Sequence, residues 1–148
     1  MTRVALDSNI LIYAELEPES DKGKRSADLI LRAALDGVVP AQVLGEFIRF
    51  IQRRAPNLLG EAIRQTAIYR AAFLTPATTE DIINTAAELA RAHHVQLWDG
   101  VVCAASAQAG ARALLSEDMQ DGRVLEGLRI IDPFDSANAA AIEALFGG

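Results

Sequence analysis

Two kinds of hydrophobic pattern alternate along this chain. Val4-Ala5-Leu6, Ala113-Leu114-Leu115 and Leu128 to Ile131 are short apolar runs. Runs of this kind predict strands buried on both faces of a parallel sheet. Val38-Val39, closed by Pro40, and Phe73 to Ala77 predict two further brief strands. Between them apolar residues recur at helical spacing, predicting helices over Ser8 to Glu15, Ala27 to Leu35, Ala41 to Arg54, Leu58 to Phe73 and Trp98 to Ala109. Thr78 with Asp81 reads as a capping box opening one more helix, whose buried face carries Ile82, Ile83, Ala86, Leu89 and Ala90. Asp36-Gly37, Pro56-Asn57, Gly110, Asp121-Gly122 and Asp132-Pro133 punctuate the pattern, and Glu17 to Asp21 reads as a loop. Strands alternating with helices predict an α/β fold with a mostly parallel sheet. Ser136 to Phe146 reads as a terminal helix or a loosely held tail.

Composition narrows this picture. At 148 residues, with 51% hydrophobic and 5% aromatic residues, the chain suits one compact, aliphatic domain. No repeat, linker or run long enough to span a bilayer is present. The first acid, Asp7, comes too early for a signal peptide, so a cytoplasmic location is expected. The lone Cys103 excludes an internal disulfide and reads as a buried, inert thiol. The net charge of −6 argues against a general polyanion binder. Locally, residues 49–70 hold Arg49, Arg53, Arg54, Arg64 and Arg70 against Glu61 alone. That segment is either a backbone-docking patch for nucleic acid or a solvated helical surface. Stacking residues for a single-stranded nucleic acid are sparse. Tyr13, Tyr69 and Trp98 are the candidates, with Trp98 expected in the core.

Candidate chemistry lies in four acids placed where apolar runs stop or turn: Asp7, Glu46, Asp99 and Asp118. A carboxylate set against apolar structure is costly unless paired. The only lysines, Lys22 and Lys24, fall in a polar loop pattern, which leaves a divalent cation as the natural counter-charge. Each acid has a plain reading beside the chemical one. Asp7 is a good helix cap, as are Ser8 and Asn9. Glu46 is a helical acid within reach of Arg49 or Arg53. Asp99 is a cap after Trp98, and Ser116-Glu117-Asp118 is a turn after a strand. Asp7 and Asp118 meet only if their strands are neighbours. His93 and His94 read as partners of a helix C-terminus rather than as catalysts.

Taken in order, the motifs resemble the PIN-domain ribonucleases, and within them the VapC-type toxins of bacterial toxin–antitoxin pairs. The matching pieces are Val4-Ala5-Leu6-Asp7-Ser8-Asn9-Ile10-Leu11, Gly45-Glu46-Phe47, Leu97-Trp98-Asp99-Gly100-Val101-Val102, Leu114-Leu115-Ser116-Glu117-Asp118-Met119 and the closing Leu128 to Phe134. The resemblance implies a PIN-like domain over 1–135, a short mostly parallel sheet flanked by helices, and a family-independent tail over 136–148. It implies that Asp7, Glu46, Asp99 and Asp118 form an acidic pocket for Mg²⁺ or Mn²⁺. Asn9 and Ser116 match polar helpers, and Asp121 an additional acid of some members. The implied activity is metal-dependent endoribonucleolysis, with Arg49, Arg53 and Arg54 as candidate RNA contacts. The implied partners are RNA, a cognate antitoxin and a second copy of the chain, with no membrane. An antitoxin helix is expected in a groove lined by the first helices, including Ile10, Leu11, Ile30 and Ala34 or their neighbours, with a basic side chain reaching Asp7 or Asp118. Haloacid-dehalogenase phosphatases and receiver domains need a later lysine that is missing, and no Gly-rich turn suits a dinucleotide. An RNA-processing PIN nuclease and a non-catalytic RNA- or metal-binding module stay open.

Overall fold

The computed structural model describes residues 2–147. Strand β1 (Val4–Leu6) pairs in parallel with β2 (Ala113–Leu115), Ala5 lying opposite Leu114. β2 pairs in parallel with β4 (Leu128–Ile131), and β3 (Val124–Leu125) closes the edge antiparallel to β4. The sheet order is β1-β2-β4-β3. All three residues of β1 and of β2 are buried, as their apolar runs require.

Beyond β1 the sheet continues through single parallel bridges, Ala5 to Val38 and Val38 to Leu74. The segments expected as strands at Val38-Val39 and Phe73 to Ala77 thus supply ladder bonds, such as Leu6 N to Val38 O at 3.0 Å, without reaching strand length. Pro40 limits the first because it has no N–H to donate. Gly37 has no room for a side chain: a Cβ there would stand 2.4 Å from the Ala33 carbonyl and 2.9 Å from the Phe73 ring.

Helices cover the sheet. They are α1 (Ser8–Leu16), α2 (Asp21–Ala33), α3 (Ala41–Arg54), α4 (Leu59–Ala72), α5 (Glu80–His93) and α6 (Leu97–Gln108). The short α7 (Ala139–Leu145) buries Ile142 completely. Three expectations are corrected. Helix α2 begins at Asp21 rather than Ala27, because the Ser20 hydroxyl caps it by accepting from Gly23 N at 2.9 Å. Lys22 and Lys24 therefore sit on a helix, not in a loop. The cap of α5 is Thr79 rather than Thr78; its oxygen accepts from Ile82 N at 3.2 Å. The β3–β4 hairpin was not anticipated: Glu126 and Gly127, at φ of 55° and 75°, make the tight turn that joins the strands. Among the described residues no helix is long and apolar enough to cross a membrane.

Candidate active site

The carboxyl ends of β1 and β2 lie side by side, and the loops that leave them bring Asp7 and Ser116 into contact. In open α/β sheets this is where ligands bind. Asp7 is buried, 4% exposed. One carboxylate oxygen caps α1 by accepting from Ser8 N at 2.8 Å; the other accepts from the Ser116 hydroxyl at 2.7 Å. The cap reading is therefore realised, and the second oxygen faces Ser116 across the two loops. Asn9 ties the two loops together. Its Nδ2 donates to Asp7 Oδ2 at 3.4 Å and Asp118 Oδ2 at 3.3 Å, while its Oδ1 accepts from Glu117 N at 3.2 Å. Asn9 and Ser116 thus link the loops that follow β1 and β2.

Glu46 and Asp99 come from facing helices. Glu46 is half-buried on α3, and none of the ion pairs among the described residues involves it, Arg49 or Arg53. The expected surface pairing of Glu46 with those arginines is absent. Asp99 stands in the first turn of α6, but it does not cap the helix. Gln96 does, its side-chain oxygen accepting from Trp98 N at 2.9 Å and Asp99 N at 3.1 Å. Gly100 seats that turn tightly on α5; a Cβ there would lie 3.1 Å from the Ala86 carbonyl.

The electrostatics are those of crowded acids without a counter-charge. Burial first, then Asp99 and Asp118, push the Asp7 carboxyl up to about 6, against the pull of its two hydrogen bonds. Burial, and then the neighbouring Asp7, push Glu46 up to about 7. Asp99 is also raised, by burial and by Asp118. Cys103, buried beneath, is pushed up to about 12, which keeps it an inert thiol.

A metal cage is not preformed: among the described residues no three His, Cys, Asp or Glu side chains are arranged to hold an ion as they stand. The donor set still fits one. It is all oxygen, it is uncompensated, and a hard cation such as Mg²⁺ keeps several waters and needs only one or two carboxylates.

Three clefts meet at these acids. One of about 410 Å³ runs past Asn9, Glu46 and Asp118 along Ile12, Tyr13, Leu16 and Phe50. One of about 460 Å³ runs from Glu46 to Trp98. A smaller one, about 170 Å³, includes Asp99, Asp118 and Arg123. The groove expected along Ile10 and Leu11 is corrected: both are fully buried, and the next turn of α1 lines the cleft instead. Ile30 faces a different cleft, with Glu15 and Tyr69, and Ala34 is half-buried against the core.

Other candidates separate. Asp121 does not join the pocket: its Oδ1 accepts from Asp132 N at 2.9 Å and Asn138 Nδ2 at 3.1 Å, fastening the exit of β4. Arg49 lines the Trp98 cleft, Arg53 is exposed, and Arg54 stacks 5.4 Å from the Phe50 ring. Arg64 is spent on Glu61 at 2.7 Å. Tyr69, offered for stacking, is 3% exposed and belongs to the core, whereas Trp98, expected in the core, is 44% exposed. Sequence reasoning missed a cluster at the mouth of the first cleft. Tyr13 Oη donates to Glu117 Oε1 at 2.5 Å, and Lys22 pairs with the same carboxylate. Only the proximity of Glu117 to Asp118 hinted at it; Lys22 arrives from α2.

With this geometry in view, the sequence pattern of the PIN domain family matches residues 4–121. Curated proteins yield no match. Among solved structures, VapC20 of Mycobacterium tuberculosis, described as a sarcin–ricin-loop-cleaving toxin, superposes with a TM-score of 0.65 at 16% identity, covering 78% of this chain and 89% of that one. A toxin–antitoxin complex from Klebsiella pneumoniae matches at TM-score 0.66 and 14% identity, over 88% of this chain and 98% of the other. FitAcB from Neisseria gonorrhoeae matches at 0.65 and 17%, over 89% and 99%. At these identities the likeness is one of fold.

Proposed function

The chain belongs to the PIN domain family, and from that premise we propose that it is a Mg²⁺- or Mn²⁺-dependent endoribonuclease serving as the toxin of a toxin–antitoxin pair. The observation that carries this reading is the Asn9 bridge between Asp7 and Asp118, with Glu46 and Asp99 adding charge to the same pocket. Asp7, Asp99, Asp118 and Glu46 are the groups to hold the ion. The chemistry such an ion supplies is a lowered pKa for bound water and neutralised charge on the scissile phosphate.

The protein's own part is positioning and proton transfer. Asp7 is fixed by Ser8 N and the Ser116 hydroxyl, so its second oxygen keeps one orientation. Asn9 sets the spacing of Asp7 and Asp118. Glu46, half-buried beside Asp7 and lining two of the clefts, is placed to accept the proton that the attacking water gives up. Attack in line on phosphorus then breaks the bond to the 3′ oxygen. No serine or histidine nucleophile is needed.

The toxin role draws on the structural neighbours, which include toxin–antitoxin complexes. The cleft along Ile12, Leu16 and Phe50 offers an apolar face for an antitoxin helix, with Asp118 and Glu46 at its end for a basic side chain. Expression of the protein alone is expected to arrest growth in its native host, and co-expression with the adjacent upstream gene product to relieve it. Normal growth, with nuclease activity confirmed on the purified protein, would favour an RNA-processing role instead.

A further inference from the structure

Trp98 is the only tryptophan in the chain, and it is 44% exposed. An indole gains much from burial, and this one stands in a cleft that shares Glu46 with the carboxylate centre. It is not on a loose loop. Gln96 caps the turn that carries it, and Gly100 locks that turn against Ala86. The ring is therefore presented from a rigid element.

The cleft it lines has a volume of about 460 Å³, within the usual range for small-ligand sites. Helix α3 contributes Gln42, Gly45, Glu46 and Arg49, and Thr78 comes from the segment before α5. At Gly45 an added Cβ would meet nothing within 4 Å, so the space before the helix is free. Arg49 has no ion-pair partner among the described residues. Glu46 belongs both to this cleft and to the catalytic pocket, so the two are contiguous.

The cleft thus combines a π-face, an amide, a hydroxyl and an unpaired guanidinium. An apolar protein side chain would satisfy only the first. A single unpaired nucleotide satisfies all four: its base stacks, its edge hydrogen-bonds, and its phosphate meets the arginine. We propose that the cleft between α3 and the start of α6 is a nucleobase subsite, in which Trp98 stacks the base of a nucleotide flanking the cleaved bond. Gln42 and Thr78 bond the base edge, and Arg49 holds the adjoining phosphate. The subsite rests on the ribonuclease reading above and deepens it, because it gives the enzyme a means of preferring one flanking base.

Trp98 reports its own occupancy by fluorescence. The probes are single-stranded hexaribonucleotides of each base, and an abasic ribose-phosphate chain of the same length. They are titrated into the Asp7→Asn protein with Mg²⁺, so that RNA is not consumed, and into the wild type in EDTA. Base-bearing oligonucleotides are expected to quench the indole saturably, and the abasic chain not to. Gly45→Leu, which fills the cleft where the fold has room, is expected to keep the melting temperature and lose the effect on Trp98. Trp98→Ala is expected to weaken binding about tenfold, and Trp98→Phe to recover part of it. Binding that leaves indole emission unchanged, binding unaffected by Gly45→Leu, or no binding of any oligonucleotide would overturn the subsite. Quenching without cleavage by the wild type in Mg²⁺ would remove the nuclease reading and keep the subsite. Cleavage with an unaltered KM in Trp98→Ala and Gly45→Leu would do the reverse.

Discussion

Asp7 is the most buried of the four acids, and its titration can be checked without any substrate. Its carboxyl moves from 3.8 to about 6 and that of Glu46 from 4.5 to about 7, burial being the first cause of each. Both are raised acids, so between pH 4 and 7 the native protein holds more protons than the unfolded chain. Their stabilising effect is complete below the unfolded values and is lost as pH climbs through 6 and 7. For the buried Asp7 the loss is about 3 kcal/mol; half-buried Glu46 adds less because water screens it. Urea unfolding in EDTA should therefore show stability falling from pH 4 to pH 8. Asp7→Asn should flatten the fall and be at least as stable as wild type above pH 6, since an amide keeps the Ser8 contact without the charge. Stability that rises with pH, or an Asn variant as steep as wild type, would show that Asp7 is not held under this stress. At this scale the four acids were legible because each interrupts an apolar run. Trp98 and Tyr69 were not: one aromatic ring in an apolar segment looks like another until the neighbouring helix shows which face is covered.

Among the elements, apolar patterning located β1, β2, β4 and α3 at their observed bounds, because burial on both faces or on one helical face leaves a plain mark. Where a side-chain cap or a turn decides the boundary, the pattern said less. Ser20 extends α2 through the polar Asp21-Lys22-Gly23-Lys24, and two left-handed residues make the hairpin of β3. The strand-like Val38 and Leu74 reduce to bridges for the same reason, local backbone constraint overriding hydrophobicity. Helix α3 carries a testable consequence of its own. Glu46, Arg49 and Arg53 are spaced to share a helical face, and Arg53 is exposed with no ion-pair partner among the described residues. Arg53→Ala should weaken RNA binding at every sequence and lower the slope of log affinity against log salt by about one. Unchanged affinity and slope in filter-binding at several salt concentrations would return this arginine to the solvated surface.

Across the molecule, strand order makes the site. Asp7 and Asp118 are far apart in the chain, and only the parallel pairing of β1 with β2 makes their loops neighbours. Helices α3 and α6 then bring Glu46 and Asp99 to the same end of the sheet. The sequence displayed the acids but not this adjacency, which needs the whole topology. On the proposed reading, a chain of net charge −6 takes an anionic substrate through local charge placement. Four of the acids share one pocket that an ion would neutralise, and Arg49 lines the adjoining cleft. Incubation of the purified protein with single-stranded RNA, in Mg²⁺ and in excess EDTA, tests this most directly. Cleavage is expected in Mg²⁺ or Mn²⁺ and to vanish in EDTA; full cleavage in EDTA, or none with either ion, would contradict it.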